Sequence, residues 1–152
     1  MKIAIGSDHG GYELKEKILK FLKQKKHKVE DFGCYSKESC DYPLIGFKVA
    51  GVVSNGSADK AILICRSGVG MAIAANKLCG IRAVACYDEN IARSSREHND
   101  CNILVLAADY TAFKDAKKFI TIFLTTNSEG ERHQRRVRQI EEFESKLKGK
   151  KQ

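Results

Sequence analysis

Apolar positions follow two alternating patterns along the chain. Short apolar runs occupy Lys2–Ser7, Lys28–Phe32, Lys60–Cys65, Ile81–Cys86 and Asn102–Leu106. Three of these are nearly continuous, the pattern of strands covered on both faces of a parallel sheet. Helix-length segments separate them. Leu14, Ile18 and Leu22 share one face at helical spacing, and Phe113, Ala116, Ile120 and Phe123 do the same. Val137, Ile140, Phe143 and Leu147 mark a final helix, with Phe143 slightly off the period. Strand–helix alternation predicts an α/β fold, a three-layer, doubly wound (Rossmann-like) parallel sheet of five strands. Such sheets bind ligands beyond the carboxyl ends of their strands, so the chemistry is sought there.

The chain has 152 residues, which suits one domain over 1–147. Residues 148–152 form a basic tail expected to fray. Apolar residues make up 43% and charged residues 30%, an ordinary soluble composition. No apolar run is long enough to span a bilayer, so no membrane partner is expected. Met1-Lys2-Ile3-Ala4-Ile5 enters a strand-like run without signal-peptide architecture, and the expectation is a cytoplasmic protein. Six cysteines, at 34, 40, 65, 79, 86 and 101, include no C-x-x-C pair and no zinc-ligand spacing. They read as reduced thiols. The net charge of +8 fits either nucleic acid or a phosphorylated small substrate.

Four segments carry candidate chemistry. Ser7-Asp8-His9-Gly10-Gly11 ends the first strand. Its plainer reading is a helix cap made by Asp8 beside an exposed His9. In the second, a buried strand ends in Cys65, and Arg66-Ser67-Gly68-Val69-Gly70 turns into a helix. Backbone N–H groups at such a turn lack partners, can hold an oxyanion and acidify a nearby thiol. The segment is neither a G-x-G-x-x-G fingerprint nor a P-loop. The third, Ser95-Arg96-Glu97-His98-Asn99-Asp100, supplies a histidine able to pass protons both ways. A lone histidine in such a place is more often a surface or capping residue. In the fourth, Arg132 and Arg136 share one helical face beside His133, which suits a phosphate or a merely solvated basic face.

Together these segments resemble the ribose-5-phosphate isomerase B family and the related galactose-6-phosphate and allose-6-phosphate isomerases. The resemblance runs from Met1 to about Phe143. It rests on Ser-Asp-His-Gly-Gly at 7–11, Asp41-Tyr42-Pro43, Cys-x-Ser-Gly-Val-Gly at 65–70 and Ala74-Ala75-Asn76-Lys77. It continues through Gly80-Ile81-Arg82-Ala83, Arg96-Glu97-His98-Asn99-Asp100 and Arg132-His133-Gln134-x-Arg136-Val137.

The resemblance implies an intramolecular oxidoreductase that interconverts ribose 5-phosphate and ribulose 5-phosphate through an enediolate. Cys65 is then the base between C2 and C1. Ser67 and the N–H groups of Gly68, Val69 and Gly70 hold the enediolate oxygens. His98, with Asp8, opens the furanose ring. Asp8, His9, Tyr42 and Asn99 line the pocket, and Arg132, Arg136 and His133 bind the phosphate. The resemblance also implies no metal or organic cofactor, and a homodimer or dimer of dimers whose subunits share the site. The final helix is expected to pack on the partner subunit.

Two positions depart from the family's pattern. Arg66 stands where glycine is usual, and Asp109 stands where many relatives carry a phosphate-binding arginine. Arg66 is therefore carried as a substitute phosphate ligand. Some relatives use a carboxylate at the position of Met71, which leaves Cys65 the base candidate here. The alternatives are a six-carbon aldose phosphate as substrate, a basic nucleic-acid module, and a non-catalytic partner subunit. Glu141, Glu142 and Glu144 interrupt the basic helix and disfavour nucleic acid, while the joint presence of Asp8, Cys65, Ser67 and His98 disfavours an inert subunit.

Overall fold

Five segments of the computed structural model, which describes residues 1–149, pair into one sheet. They are β1 (Lys2–Ser7), β2 (Lys28–Asp31), β3 (Lys60–Cys65), β4 (Ala83–Cys86) and β5 (Ile103–Ala107). The order is β2-β1-β3-β5-β4 and every pairing is parallel. The central strands β1, β3 and β5 are the continuous apolar runs, and both of their faces are covered. β2 lies at an edge, where Lys28 and Glu30 stay exposed.

Strand periodicity divides the core. Ile62 and Ile64 point to one face, with Ile3, Ile5, Leu104 and Leu106. There they meet Leu14, Ile18 and Leu22 of α1 (Tyr12–Gln24), Ala92 of α4 (Glu89–Glu97), and Ala116, Ile120 and Phe123 of α5 (Phe113–Thr125). Ala61, Leu63 and Cys65 point to the other face. That face packs on Ile45, Val49 and Val53 of α2 (Tyr42–Ser54) and on Met71 and Ala75 of α3 (Val69–Ala75). The alternation therefore sends Cys65 toward α2 and α3.

The predicted strand bounds shift slightly. β2 stops at Asp31; Phe32 still donates to Ile5 O at 2.9 Å, and the chain then bends at Gly33 with φ +93°. β4 begins at Ala83 because the Ile81 N–H closes a turn on Leu78 O. β5 runs one residue later than expected, since the Asn102 side chain accepts from Arg82 N and donates to Gly80 O.

The last helix, α6 (Glu131–Gly149), is helical through two residues of the tail expected to fray. The rest of that tail, 150–152, lies outside the described residues. No helix among the described residues is long and apolar enough to cross a membrane. α6 makes specific bonds to the body, with Glu141 on Arg82 and Glu144 on the Gly80 N–H. Its apolar positions Ile140, Phe143 and Leu147 nevertheless remain exposed.

Candidate active site

Two clusters hold the candidate residues, one at each end of the sheet. At the carboxyl end, β1 delivers Asp8 into a short 3-10 turn, His9–Gly11. Asp8 is buried, and its Oδ1 accepts the Gly11 N–H at 2.9 Å. The capping reading is thus correct for Asp8. His9 is half-buried, and its Nδ1 accepts the Cys40 N–H at 3.3 Å, so it is not the exposed neighbour which that reading included.

β3 ends beside this turn. Cys65 is 4% exposed, and its sulfur accepts the Gly68 N–H at 3.2 Å. Gly68 has φ +80°, a conformation that glycine adopts without a Cβ penalty. The Val69 N–H meets Ser67 Oγ at 3.3 Å. The Gly70 N–H has no acceptor among the described residues, as expected in the first turn of a helix. A Cβ on Gly70 would lie 2.8 Å from Tyr42 Cζ, so the Tyr42 ring lies against this turn. The structure therefore brings Asp8, His9, Tyr42, Cys65, Ser67, Gly68, Val69 and Gly70 together. Met71, directly after them, is fully buried.

Arg66 lies at the same rim. Its stem crosses Gly10, where an added Cβ would stand 2.3 Å from Arg66 Cγ. Its Nε donates to Asp109 Oδ2 at 3.1 Å. The two residues that depart from the family's pattern form one exposed ion pair, with the guanidinium at the edge of the cluster.

The second cluster sits at the amino end. His98 caps the end of α4, and its ring stacks on His133 of α6 with centroids 4.3 Å apart and planes 14° apart. Arg132 Nη2 is 3.3 Å from His133 Nε2. Desolvation, then His98 and the Arg132 and Arg136 charges, hold the His133 pKa below its ordinary value of 6.5. Asn99 and Arg136 are exposed beside this group. Glu97, His98 and Glu129 have donor atoms within 4.8 Å of one another, the one such group among the described residues able to hold a metal.

A charged framework around the Arg96–Asp100 segment sets this end. Arg96 is buried and donates to Asp100 Oδ1 at 2.7 Å and to Cys101 O at 2.5 Å. Arg82 donates to Asp100 Oδ2 at 3.0 Å and to Glu141 Oε1 at 3.2 Å. Asp100, at a backbone φ of +47°, thus joins Arg96 of α4 to Arg82, and Arg82 in turn reaches Glu141 of α6. Arg82, Arg96 and Asp100 lie in stretches that the sequence singles out, but nothing there shows that they bond to one another or to Glu141.

The two clusters do not meet within one chain. Cys65 pairs in register with Ala107 at the end of β5, whereas His98 precedes the start of β5 at Ile103. Four residue steps along β5 alone cover roughly 13 Å. Two exposed apolar surfaces accompany the separated halves. One is Leu44, Phe47, Val69 and Ile73 on α2 and α3, next to the cysteine cluster; the other is Ile140, Phe143 and Leu147 on α6.

Comparison with known proteins adds identity to this geometry. Residues 3–140 match the family model described as Ribose/Galactose Isomerase. The chain is 43% identical over 145 residues to the ribose-5-phosphate isomerase B of Escherichia coli (strain K12), covering 95% of this chain and 97% of that one. A solved ribose-5-phosphate isomerase B from Clostridium thermocellum superposes with a TM-score of 0.94 at 48% identity, over 97% of this chain and 99% of that one. The enzyme from Mycoplasma genitalium, solved with bound ribulose-5-phosphate, gives a TM-score of 0.91 at 40% identity, over 95% and 96%.

Proposed function

Since the chain belongs to the ribose/galactose isomerase family, we propose that it interconverts ribose 5-phosphate and ribulose 5-phosphate in a site completed by a second copy of itself. The observation that carries this is the buried Cys65 sulfur, which receives the Gly68 N–H at the mouth of the Ser67–Gly70 turn. A cysteine sulfur held at the mouth of such a turn can take a proton from carbon and return it.

The arrangement divides the reaction between its ends. Cys65 removes the proton from C2 of the open-chain aldose and returns it to C1. The negative charge that develops on the O1 and O2 side falls beside the Ser67 hydroxyl and the N–H groups of Gly68, Val69 and Gly70. Asp8 and Tyr42 orient the hydroxyls, and His9 stands over the same groove. Ring opening needs a group that gives a proton to the ring oxygen and takes one from the anomeric hydroxyl; His98 supplies it. Asn99, beside it, orients the sugar. Arg132 and Arg136, one helical turn apart, receive the phosphate with His133 between them. Arg66 reaches toward the same anion from the cysteine side while Asp109 holds its Nε.

Because His98 and Cys65 lie at opposite sheet ends, this division requires two copies. The α6 stripe of Ile140, Phe143 and Leu147 is the natural cover for Leu44, Phe47, Val69 and Ile73 of the partner, burying both apolar surfaces together. A reciprocal, twofold-symmetric pair of this kind brings each copy's His98 and Arg132 to the other's Cys65. The test is a side-by-side assay of the purified protein with ribose 5-phosphate, allose 6-phosphate and galactose 6-phosphate. Turnover of ribose 5-phosphate well above the other two supports the reading; preference for either six-carbon substrate replaces it.

A further inference from the structure

α1 carries a charged residue on its buried side. Leu14, Ile18 and Leu22 face the core, and Lys15 lies among them with 0% exposure. Taking an ammonium out of water is unfavourable unless it is paired and hydrogen-bonded, and a well-packed apolar residue in such a place is often as stable or more so. Fold stability alone therefore gives no reason for a lysine at 15. The isomerase chemistry proposed above does not use it either.

The partners of Lys15 lead toward the cysteine cluster. Its Nζ lies 2.5 Å from Asp31 Oδ2 at the end of β2 and 3.1 Å from Glu16 Oε1. The Tyr12 and Tyr35 rings cover it, with centroids at 5.6 Å and 5.3 Å. The other Asp31 oxygen, Oδ1, accepts the Gly33 N–H at 2.9 Å, and Asp31 O accepts the Tyr35 hydroxyl at 2.8 Å. One carboxylate thus ties α1 to the chain that leaves β2. That chain closes on the end of β1. The Ser7 N–H donates to Gly33 O at 2.6 Å, and Ser7 O accepts the Cys34 N–H at 2.6 Å. Asp8 is the next residue. Further along the same segment, the Cys40 N–H donates to His9 Nδ1 at 3.3 Å.

We propose that Lys15 is a positioning residue of the isomerase site: its buried ammonium fixes the Asp31 carboxylate and, through Gly33 and Ser7, the direction in which Asp8 leaves β1. Without a cation at 15, the carboxylate faces only Glu16 and turns outward, where its side chain is already 19% exposed. Gly33 then loses a fixed acceptor, and the two Ser7 bonds loosen with it. Misplacing a group that orients the substrate lowers turnover although no substrate contact is deleted. The proposed phosphate ligands Arg132 and Arg136 belong to α6, outside this chain of bonds, so KM should respond less than kcat. The effect on turnover rests on the site reading above, whereas the effect on Ser7 and Gly33 is read without any activity.

The experiment compares the full-length protein with Lys15→Met/Asp31→Leu, where an apolar pair replaces the ion pair, and with Asp31→Asn. Each is measured for thermal unfolding, for kcat and KM with ribose 5-phosphate, and for backbone hydrogen exchange in peptides covering 5–9 and 31–35. The double variant should keep a Tm close to the parent's. Its kcat should fall about tenfold and its KM change less than about threefold, while the Ser7, Gly33 and Cys34 amides exchange faster. Asp31→Asn offers one acceptor oxygen in place of two, so it holds Lys15 or Gly33 but not both. It should show the same changes at smaller size, and it decides the matter if the double variant does not fold. Unchanged exchange at these amides overturns the link from Lys15 to β1. Faster exchange with unchanged turnover overturns its effect on the site. A loss of kcat confined to temperatures near each variant's own Tm marks ordinary destabilisation and overturns the proposal. Faster exchange in variants of a parent that turns over no ribose 5-phosphate upholds the link and overturns the isomerase reading instead.

Discussion

Cys65 and His98 belong to opposite ends of one parallel sheet, with the whole of β5 between them. Each sits in a prepared setting. The cysteine receives an N–H from the turn that follows it, and the histidine is stacked on a second histidine. The proposed reaction needs a carbon acid's base and a ring-opening acid at one sugar, so the proposal draws the two settings from different copies. The predictions below follow from that division.

Cys65→Ala should fold, because a small side chain at a strand end leaves little cavity, and should lose about 10²–10⁴-fold in kcat. Exchange of the C2 hydrogen with solvent should fall with it. A small alkylating agent should modify Cys65 ahead of Cys40, Cys86 and Cys101, whose thiols burial pushes up to about 11. Bound substrate should protect Cys65. Full activity in Cys65→Ala would pass the base to another group.

Arg132→Ala and Arg136→Ala should each raise KM for ribose 5-phosphate about ten- to a hundredfold, the loss of roughly 1.5–3 kcal/mol for a charged hydrogen bond. Binding of the dephosphorylated sugar should change little. An unchanged KM in both variants would shift the phosphate toward Arg66, which already stands at the rim with Asp109.

His98→Asn should slow turnover of the cyclic aldose more than the proton-transfer step on ribulose 5-phosphate, which is already open-chain. Measuring C2 hydrogen exchange beside overall isomerisation separates the two. Equal losses would mean that His98 has no separate role in ring opening.

Acid should weaken the His133 setting. Its folded pKa is lowered, by desolvation first and then by His98 and the two arginines, so the unfolded chain binds this proton more readily. The stability it contributes is complete above the ordinary value of 6.5 and is lost as pH falls through the lowered folded value. Thermal unfolding followed from pH 7.5 down to about pH 5 should show a fall in Tm that is smaller in His133→Phe, which keeps a stacked ring and takes no proton. An identical fall in both proteins would remove His133 from the account.

The fold was legible where neighbouring residues decide it. Continuous apolar runs mark β1, β3 and β5, and the twofold alternation of Ile62 and Ile64 against Leu63 and Cys65 already places the sulfur on one face. Leu14, Ile18 and Leu22 mark the buried face of α1 in the same way. The grouping of Cys65 with Ser67, Gly68, Val69 and Gly70 was legible too, because these residues follow one strand end and the turn after it. Parallel strand–helix alternation also puts His98, just ahead of the Asn102–Leu106 run, at the amino end of the sheet. What sequence spacing lacks is the contacts between elements. The Arg82–Asp100 and Arg82–Glu141 bonds join segments far apart in sequence, and such contacts leave no periodic trace. The Arg66–Asp109 pair escaped for the same reason: each residue looked like a separate departure until β3 and β5 set them side by side.

Mixing two inactive variants tests the shared site most directly. Cys65→Ala and His98→Asn proteins are unfolded and refolded together, with subunit exchange verified by mass. In a mixed pair one site holds both substitutions and the other holds none, so random pairing should restore about a quarter of the wild-type turnover of ribose 5-phosphate. Refolding either variant alone should restore nothing. Verified mixed pairs without recovered turnover would contradict a site built from Cys65 of one copy and His98 of the other.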